Sequence, residues 1–490
     1  MIKLKKLSIM AKMTILSVIT FVILCCLSNL FANSEVSAKA TEFTVEYTDE
    51  YRSFLAVRSA ENTDNSEIWR SKDEETTPRI MSMTTSVITS VIKSLTTSIT
   101  SAMETSTASA DKEGSQSVSI QIEQNEVPAA PAENKEQNAT LAVVGDLMCH
   151  AAQLKDALSK GGNIQYDFSH TFKHVSRYIT DADYAIGNLE TTMVLPGNKP
   201  SGYPSFGSPI SFAEAVKNAG FDFVATANNH SLDFGKKGVI HTLEVLDDLG
   251  LAHTGTYAAE EDSQEIAVID VNGITFALVS YTYGVNGNPI PKDMPWCVNM
   301  IKKAKSDIAQ AKELNPDVII VMPHIGNEYE TTTRQRFKNE VYELLEAGAD
   351  IVLAAHPHVL QPAEFVKITE ADGTERNCFV AYSMGNFVSS QRTAPRDFGM
   401  VVNLHFKKAD GEKATLNSVD LMPVWVKFTS PKGSYDITVL PVNELDKPEF
   451  SAVISELRPN DVRRIEAVKL AFAKMFPGFS DSGTDSGAKS

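Results

Sequence analysis

Short apolar runs alternate with amphipathic stretches along the chain from Ala139 to Tyr382. The runs have the length and β-branched content of buried strands, and the stretches between them repeat apolar residues at the spacing of core-facing helices. This alternation predicts an α/β fold with right-handed crossovers. Gly250 and Gly348 are predicted helix stops. The predicted strands are 140–144, 184–186, 221–226, 275–283, 317–321, 350–354 and 378–382, and the predicted helices are 151–158, 169–179, 211–218, 237–249, 301–314 and 334–347.

The pattern changes after Gly399. Residues 400–406, 424–428 and 435–442 partly alternate apolar and polar side chains, which predicts antiparallel strands that flank or complete the sheet. Residues 461–476 form a predicted closing helix with Asn460 as its cap.

The segment before Ala139 has a different character. Four lysines between residues 3 and 12 precede an uncharged apolar run over residues 13–30, which is long enough to span a bilayer. The positive charge before the run predicts a single-pass anchor with an extracellular body. Residues 36–38 would suit a signal peptidase, so a cleaved signal and a secreted body stay as the alternative.

Residues 34–138 are rich in Ser, Thr, Ala, Glu and Gln. Such a composition buries too little apolar surface to offset the ordering entropy, which predicts a disordered stalk. Apolar residues between 88 and 102 recur at helical spacing, so a short partner-binding helix is an alternative there. The predicted organisation is 1–33 signal-anchor or signal peptide, 34–138 stalk, 139–428 main domain, 429–479 strands and helix that complete it, and 480–490 disordered tail.

Charge narrows the range of partners. The chain has 62 acidic and 45 basic residues, for a formal net charge of −17. Because no basic stripe is present to neutralise phosphates, nucleic acid is excluded as a partner. Capture of a polyanion by bulk charge is also unfavourable unless bound cations intervene. Outside the anchor, Cys149, Cys297 and Cys378 form an odd, scattered trio that predicts no disulfide framework.

Polar residues with metal-ligand chemistry follow the predicted strands. Since the carboxyl ends of parallel strands share one rim of an open α/β sheet, we expect these side chains to converge there. Carboxylate oxygens, imidazole nitrogens and an amide oxygen together suit Zn²⁺, Mn²⁺ or Fe. Taken singly, each residue has a plainer interpretation as a helix cap, a turn residue or a surface ion pair. In chain order they are Asp146, Asn188, Glu190, Asn229, His230, His324, Glu328, His356 and His358.

The motifs around these residues resemble the signature series of the CapA family, which is named for bacterial capsule and poly-γ-glutamate biosynthesis and is related to the calcineurin-like metallophosphatases. The resemblance covers residues 139–428 and implies a four-layer α/β/β/α sandwich with a dinuclear metal site. The motifs are Gly-Asp-Leu-Met at 145–148, Asn-Leu-Glu at 188–190, Ala-Asn-Asn-His-Ser-Leu-Asp-Phe-Gly at 227–235, His-Ile-Gly-Asn-Glu-Tyr at 324–329, His-Pro-His at 356–358 and Ser-Met-Gly-Asn-Phe at 383–387.

The resemblance implies one or two divalent metal ions, of Mn, Zn or Fe, and a set of ligands by position. The chain departs from the wider pattern in that Met148 stands where the first motif has a histidine, and Glu190 replaces an aspartate. Asn228 also replaces a glycine. Cys149 and His150 could replace the missing nitrogen ligand, but both lie past the position at which the motif has its histidine. A single metal ion and an altered pair of ions therefore both stay open as interpretations. The implied ligands are Asp146, Glu190, Asn229, His324, His356 and His358.

The resemblance also implies catalytic roles. His230, next to Asn229, is placed to protonate a leaving group, and Asp233 to orient it. Glu328 follows His324 by four residues, so a helical turn starting there would direct both side chains the same way and make Glu328 a base candidate. The catalytic candidates are His230, Glu328 and Asp233, and the candidate substrate contacts are Asn188 and Asn386.

Three functions fit these features. The favoured one is a membrane-anchored extracellular protein of the CapA type that serves synthesis or export of an anionic polymer such as poly-γ-glutamate, with the polymer or its membrane synthetase complex as partner. The second is a surface metal-dependent hydrolase, acting on phosphoester or amide bonds, that is unrelated to capsule. The third is a non-catalytic, metal-assisted polymer-binding module, which the methionine at position 148 favours.

Overall fold

The structure is a computed structural model, and it describes residues 136–430 and 434–479. The predicted anchor at 13–30, the stalk up to residue 135 with its apolar positions at 88–102, and the tail at 480–490 lie outside the described residues. Within the described ranges, no helix is both long enough and apolar enough to cross a membrane.

Sixteen strands make up the sheets of the described part. They are β1 (Gln137–Leu147), β2 (Tyr184–Leu189), β3 (Thr192–Met193), β4 (Gly207–Ser208), β5 (Phe223–Ala225), β6 (Ala252–Thr254), β7 (Ala267–Val271), β8 (Ile274–Thr282), β9 (Val318–His324), β10 (Ile351–Leu353), β11 (Leu360–Thr369), β12 (Glu375–Met384), β13 (Asn386–Val388), β14 (Phe398–Lys408), β15 (Thr415–Thr429) and β16 (Asp436–Pro441).

Two mixed sheets carry the architecture. The first has the strand order β16-β15-β14-β1-β2-β5-β6, with β13 paired to β1, and the second has the order β11-β12-β10-β9-β8-β7. Each sheet has a parallel centre, formed by β1, β2, β5 and β6 in the first and by β8, β9, β10 and β12 in the second. Strands β14 to β16 are antiparallel and complete one side of the first sheet, as the pattern after Gly399 predicts.

Seven of the nine helices of the described part lie in the connections between these strands, and the last two follow β16. Gly250 and Gly348 end two of them with φ values of 62° and 124°, which a glycine adopts without strain. The helices are α1 (Ala151–Lys160), α2 (Ser169–Phe172), α3 (Ser176–Thr180), α4 (Ile210–Asn218), α5 (Gly235–Asp248), α6 (Ala304–Glu313), α7 (Gln335–Ala347), α8 (Ser451–Glu456) and α9 (Pro459–Met475).

Alternate residues along β1 belong to different cores, because successive strand side chains point to opposite faces. Leu141 and Val143 join Phe276 and Ile320 in a cluster shared by the two sheets. The intervening residues of β1 pack in a second cluster with α4 and α5, and a third cluster joins the outer face of the second sheet to α6 and α7. The body is therefore α/β, as predicted, with the two sheets packed on each other and helices on their outer faces.

Two local predictions are wrong. The helix predicted over 169–179 is split into α2 and α3, because the chain between them makes tight turns in which the Val175 and Tyr178 backbone N–H groups donate to carbonyls three residues earlier. Asn460 does not cap the closing helix. Arg458 is the N-cap, Pro459 occupies the first turn, and the Asp461 carboxylate accepts the Arg458 backbone N–H at 3.0 Å.

Candidate metal centre

Strand register brings the predicted residues of the first sheet together. Asp146 lies opposite Asn188 of β2 and Asn386 of β13. Gly145 permits this arrangement, since a Cβ at that position would lie 2.1 Å from the carbonyl oxygen of Gly385. The Asp146 backbone N–H donates to that same oxygen at 3.0 Å. The glycine before the aspartate therefore lets two segments of chain approach closely enough to fix the carboxylate.

The three histidines of the implied ligand set come from the second sheet. Strand β9 ends at His324, which bridges to Ala355 just after β10, and His356 and His358 follow within three residues. The prediction that all the polar groups share one rim of one sheet is therefore wrong. They lie where the carboxyl edges of two facing sheets meet, and strand patterns along the sequence cannot reveal to which sheet a strand belongs.

Asp146 is fully buried, and both of its carboxylate oxygens have partners. Oδ1 accepts a hydrogen bond from Asn188 Nδ2 at 2.8 Å, and Oδ2 lies 2.9 Å from His358 Nδ1. Burial raises the pKa of Asp146, but the hydrogen bond and charge of His358 outweigh it and hold the pKa at about 2. Asp146 is thus an anion at neutral pH, the form in which a carboxylate binds metal.

Glu190 is also fully buried, but neither of its carboxylate oxygens has a hydrogen-bond partner among the described residues. The nitrogens beside Oε1 are His324 Nε2 at 3.5 Å and His358 Nε2 at 3.7 Å. Burial and the negative charge of Asp146 raise the pKa of Glu190 well above its usual range. Since an unpaired buried carboxylate costs several kcal/mol, this acid fits a position that a cation occupies.

Glu190 also shares a donor group with two neutral imidazoles, those of His324 and His356. His324 Nε2 lies 2.9 Å from the Asn229 Oδ1, and the ring of His356 lies 4.8 Å from that of His324, centroid to centroid. Nδ1 of His356 is buried without a partner in the described part of the chain. Burial lowers the pKa of His324 to about 3 and that of His356 to about 2, so both rings are in the neutral form that ligates metals.

The His-Pro-His loop is held in an unusual backbone conformation. His356 and His358 have φ values of 102° and 57°, a region that costs a residue with a side chain about 1–3 kcal/mol. Asn386 Oδ1 lies 3.2 Å from His358 Nδ1, and the Tyr329 backbone N–H donates to the Pro357 carbonyl at 2.8 Å. These contacts hold both imidazoles in the interior despite the strain.

The donor atoms form overlapping groups whose members lie within 4.8 Å of one another. Glu190 belongs to two of the groups and would be the donor that they share. We call Glu190, Asn229, His324 and His356 the asparagine site, and Asp146, Glu190 and His358 the aspartate site. Carboxylate, amide and imidazole donors in these combinations fit Mn²⁺, Zn²⁺ or Fe. The groups are Glu190, His324 and His356; Asp146, Glu190 and His358; and Glu328, His356 and His358.

Among the described residues, no side chain of a donor group takes the place of the histidine that the resemblance implies at position 148. Neither Cys149 nor His150 belongs to a donor group among the described residues. Burial raises the pKa of the Cys149 thiol to about 12, which disfavours the thiolate form that binds metal. The His150 ring packs edge-on against Phe206 at 4.9 Å. Each site therefore has three carboxylate or imidazole donors, and Asn229 Oδ1, 2.9 Å from His324 Nε2, would be a fourth donor at the asparagine site.

Restoring the missing nitrogen should strengthen the aspartate site. We expect Met148→His to raise the affinity for the second equivalent of Mn²⁺ at least about tenfold, the scale on which single supporting residues change metal affinity. Isothermal titration of the metal-free chain measures both equivalents. Met294→His, at a buried methionine outside the donor groups, is the control and should change neither. An unchanged second affinity in Met148→His would contradict the assignment.

His230 and Asp233 form a buried pair next to Asn229. His230 Nδ1 lies 2.7 Å from Asp233 Oδ2, which also accepts the Phe206 backbone N–H at 2.7 Å. The ring of Phe206 packs edge-on against His230 at 4.6 Å. The aspartate selects the tautomer with the proton on Nδ1 and leaves Nε2 for a reacting group. The geometry brings this predicted acid and its orienting partner together.

Glu328 reaches the centre by a different route from the one predicted. The helical turn after His324 does not form, since β9 ends there and the loop has φ values of 125° at Gly326 and 68° at Tyr329. A Cβ at position 326 would lie 2.8 Å from the Pro357 ring, so only a glycine fits that loop. Glu328 is exposed, yet its carboxylate groups with His356 and His358.

Other polar residues complete the surroundings. Asn286, which the sequence analysis missed, accepts a hydrogen bond from Asn229 Nδ2 at 3.2 Å and lies 3.5 Å from His230 Nδ1. The Asn-Gly pair at 286–287 has the sequence of an ordinary turn, and nothing in the pattern points to a site. Asn188 and Asn386 are buried and contact Asp146 and His358, so their contact with substrate stays a prediction.

A family profile and individual relatives of known description identify the same family for this chain. The sequence profile described as "Bacterial capsule synthesis protein PGA_cap" matches residues 140–391. The chain is 30% identical over 313 residues to the "Capsule biosynthesis protein CapA" of Bacillus anthracis, covering 62% of this chain and 71% of that protein. It is 27% identical over 348 residues to the "PGA biosynthesis protein CapA" of Bacillus subtilis (strain 168), covering 67% and 80%.

A more distant relative also has a description that refers to polymer synthesis. Over 205 residues the chain is 25% identical to the "Probable polyglutamine synthesis accessory protein" of Mycobacterium tuberculosis (strain CDC 1551 / Oshkosh), which covers 38% of this chain and 53% of that protein. The matched profile includes every residue of the asparagine and aspartate sites.

Proposed function

The chain belongs to the bacterial capsule synthesis protein family PGA_cap, and on that premise we propose that it serves the synthesis or export of an anionic capsular polymer of the poly-γ-glutamate type through a metal-dependent hydrolase-like site. The names of the relatives from the two Bacillus species support the polymer class. The name of the mycobacterial relative, an accessory protein of synthesis, supports action beside a synthetase.

Glu190 is the observation that carries the hydrolase-like part of the proposal. A fully buried carboxylate with both oxygens unpaired, next to the His324 imidazole whose pKa is lowered, is unfavourable in a protein that binds nothing there. A divalent cation would resolve this cost because it would bind directly to the carboxylate oxygens that have no partner among the described residues. The buried donor set therefore fits a resident metal centre better than it fits a structural polar core.

In the proposed reaction, the bound ions and particular residues of the chain have separate roles. Divalent ions held by the two sites would supply Lewis-acid polarisation of the scissile bond and activation of water at neutral pH. His230, whose Nδ1 is hydrogen-bonded to the Asp233 carboxylate, would deliver to the leaving atom the proton that Nε2 carries when the ring is an imidazolium ion. Phe206 covers the His230 ring and limits water at that side of the pair. Asn188 keeps the Asp146 carboxylate oriented.

The location outside the cell is part of the proposal. The lysines between residues 3 and 12 and the apolar run at 13–30 support a single-pass anchor, with the body on the extracellular side. An anionic polymer or its synthetase complex in the membrane would then lie within reach of the centre. The net charge of −17 supports recognition by bound metal and by particular cations rather than by bulk charge.

A surface metallophosphoesterase unrelated to capsule is the second candidate. The His230–Asp233 pair beside the asparagine site favours it, because such a pair protonates a phosphoester leaving oxygen as readily as an amide nitrogen. The three-donor aspartate site favours a third candidate, a binding module without turnover. Substrate assays of the metal-loaded full chain on phosphodiester, phosphomonoester and γ-glutamyl compounds separate the three. Bound metal with no turnover on any of them would select the binding module.

Polymer production in cells tests the proposed role. In a host whose own gene is deleted, we expect the wild-type chain to restore surface poly-γ-glutamate, and His356→Ala, which removes a donor of the asparagine site, to restore less than about a tenth of it. Extracted polymer per cell is the readout, with equal protein levels verified by immunoblot. His241→Ala is the control, because His241 belongs to no donor group among the described residues. Polymer that is unaffected by the deletion would contradict the role.

A further inference from the structure

Two arginine side chains of a single loop lack polar partners among the described residues. The loop 389–397 connects β13 to β14, and the guanidinium groups of Arg392 and Arg396 make stacking contacts but no ion pair or hydrogen bond with any residue that the structure describes. Every other arginine in the described ranges bonds a carboxylate, amide or carbonyl oxygen. Two free cations in one loop are notable in a chain with a net charge of −17.

Arg396 lies beside the metal centre. Its Cζ is 3.3 Å from the centroid of the Tyr329 ring, and the Tyr329 ring is 6.2 Å from the ring of His358. Its backbone carbonyl accepts a hydrogen bond from Asn386 Nδ2 at 2.8 Å, and Asn386 also contacts His358. Burial and the neighbouring Glu328 raise the pKa of Tyr329 to about 12, so the ring under the guanidinium stays neutral.

Arg392 lies farther along the same loop. It is exposed, and its Cζ is 4.1 Å from the centroid of the Phe428 ring. Together with Trp425 and Phe428 it lines a cavity of about 370 Å³. The other arginines of the cavity already have acidic partners, Asp461 for Arg458 and Asp397 for Arg464. Arg392 is therefore the cation of this cavity that remains available to a ligand.

Stacking prepares both side chains to bind an anion. An arginine held flat on an aromatic ring keeps its planar fork directed and loses less rotamer freedom when it binds. A carboxylate accepts two parallel hydrogen bonds from that fork. Because the two arginines are four positions apart in the chain, their backbones are at most about 14 Å apart, a distance that a few units of a polymer can span.

We propose that loop 389–397 is the substrate track of the centre, in which Arg396 binds a carboxylate of the polymer unit at the metal sites and Arg392 binds a carboxylate of a unit farther along the same chain. This inference rests on the proposed function and specifies its substrate class. The substrate is a flexible chain with carboxylates at repeating intervals, and a single small anion occupies only the Arg396 end.

Binding of labelled γ-glutamyl oligomers to the Mn²⁺-loaded full chain tests the track. By fluorescence anisotropy, we expect Arg396→Ala to weaken both a dimer and a decamer at least about tenfold, as the loss of one charge-assisted hydrogen-bond pair does. Arg392→Ala should weaken the decamer by a similar factor and leave the dimer unchanged. Arg396→Lys should recover only part of the loss, since an ammonium lacks the planar fork. Metal content should equal that of wild type in all three variants.

Arg177→Ala is the matched control, because Arg177 is an exposed arginine whose partner is Glu449. It should bind both oligomers as wild type does. Decamer binding that is unchanged in Arg392→Ala and Arg396→Ala would overturn the track alone and leave the proposed function standing. A polyphosphate that binds more tightly than the decamer would overturn the carboxylate assignment. A wild-type chain that binds no γ-glutamyl oligomer would overturn the track and the proposed function together.

Discussion

Glu190→Gln is expected to abolish tight binding of divalent metal at both sites while making the metal-free chain more stable. Glu190 is the donor that the asparagine site and the aspartate site share, so its replacement removes a charged ligand from each. At a metal concentration one hundred times the Kd, binding adds about 2.7 kcal/mol to the free energy of unfolding of the wild-type chain. The variant should gain almost none of this.

The higher stability expected of the metal-free variant follows from the burial of the Glu190 carboxylate. The pKa of Glu190 is raised above the ordinary value of 4.5 by burial and by Asp146. A group with a raised folded-state pKa contributes its full stability below the unfolded pKa and loses it as the pH rises through the folded pKa. Glutamine does not titrate, so the advantage of the variant should grow as the pH rises above 4.5 and reach about 1–3 kcal/mol at neutral pH.

Urea unfolding with a chelator and with Mn²⁺ measures both effects. Asp307→Asn is the matched control, since Asp307 is a buried carboxylate outside the donor groups that accepts a hydrogen bond from Tyr281 Oη at 3.1 Å. It should lower the free energy of unfolding in both conditions and keep the wild-type response to metal. A Glu190→Gln chain that is less stable than wild type without metal, or that keeps the metal response, would contradict the account.

His230→Ala is expected to lower kcat by about 10²–10⁴ while leaving the metal content unchanged. His230 belongs to no donor group of the described residues, and its Nδ1 is held by Asp233 at 2.7 Å. The variant therefore removes the proton donor without removing a ligand. Asp233→Asn should lower kcat less, because the imidazole stays but its tautomer is no longer fixed.

Steady-state kinetics on whichever phosphoester or γ-glutamyl substrate is turned over, together with elemental analysis, measure these effects. His405→Ala is the control, since His405 also contacts an aspartate, Asp420 at 3.0 Å, but lies on β14 outside the donor groups. It should keep wild-type kcat. Full activity in His230→Ala would remove His230 from the mechanism, and a parallel loss of metal would make it a structural residue instead.

The sequence predicted the elements that carry the centre better than it predicted their spatial arrangement. The strands before Asp146, Glu190, His324 and His356 are found where the apolar runs place them, because burial on both faces leaves a continuous apolar run. The apolar runs carry no information about which strands pair, so the pattern alone does not show that the strands form two sheets. Hence the single rim expected for the polar groups is instead a junction between two edges.

The parts of the site that escaped prediction depend on tertiary contacts. Glu328 reaches His356 and His358 through a loop that Gly326 shapes, and helical spacing had no part in it. Asn286 belongs to a turn whose sequence is ordinary, and Arg396 lies beside His358 only because Tyr329 supports it. By contrast, the methionine at position 148 was visible from the motif alone. The donor groups are consistent with the gap it implies at the aspartate site.

Metal content is the most direct test of the central claim, that Glu190 and its neighbours form a divalent metal centre. The full chain and the Glu190→Gln variant are dialysed together against a limiting concentration of Mn²⁺ or Zn²⁺ and analysed by inductively coupled plasma mass spectrometry. The account predicts at least one equivalent of metal in wild type, held at the four-donor asparagine site, and almost none in the variant. Equal metal in the two proteins, or none in wild type, would contradict it.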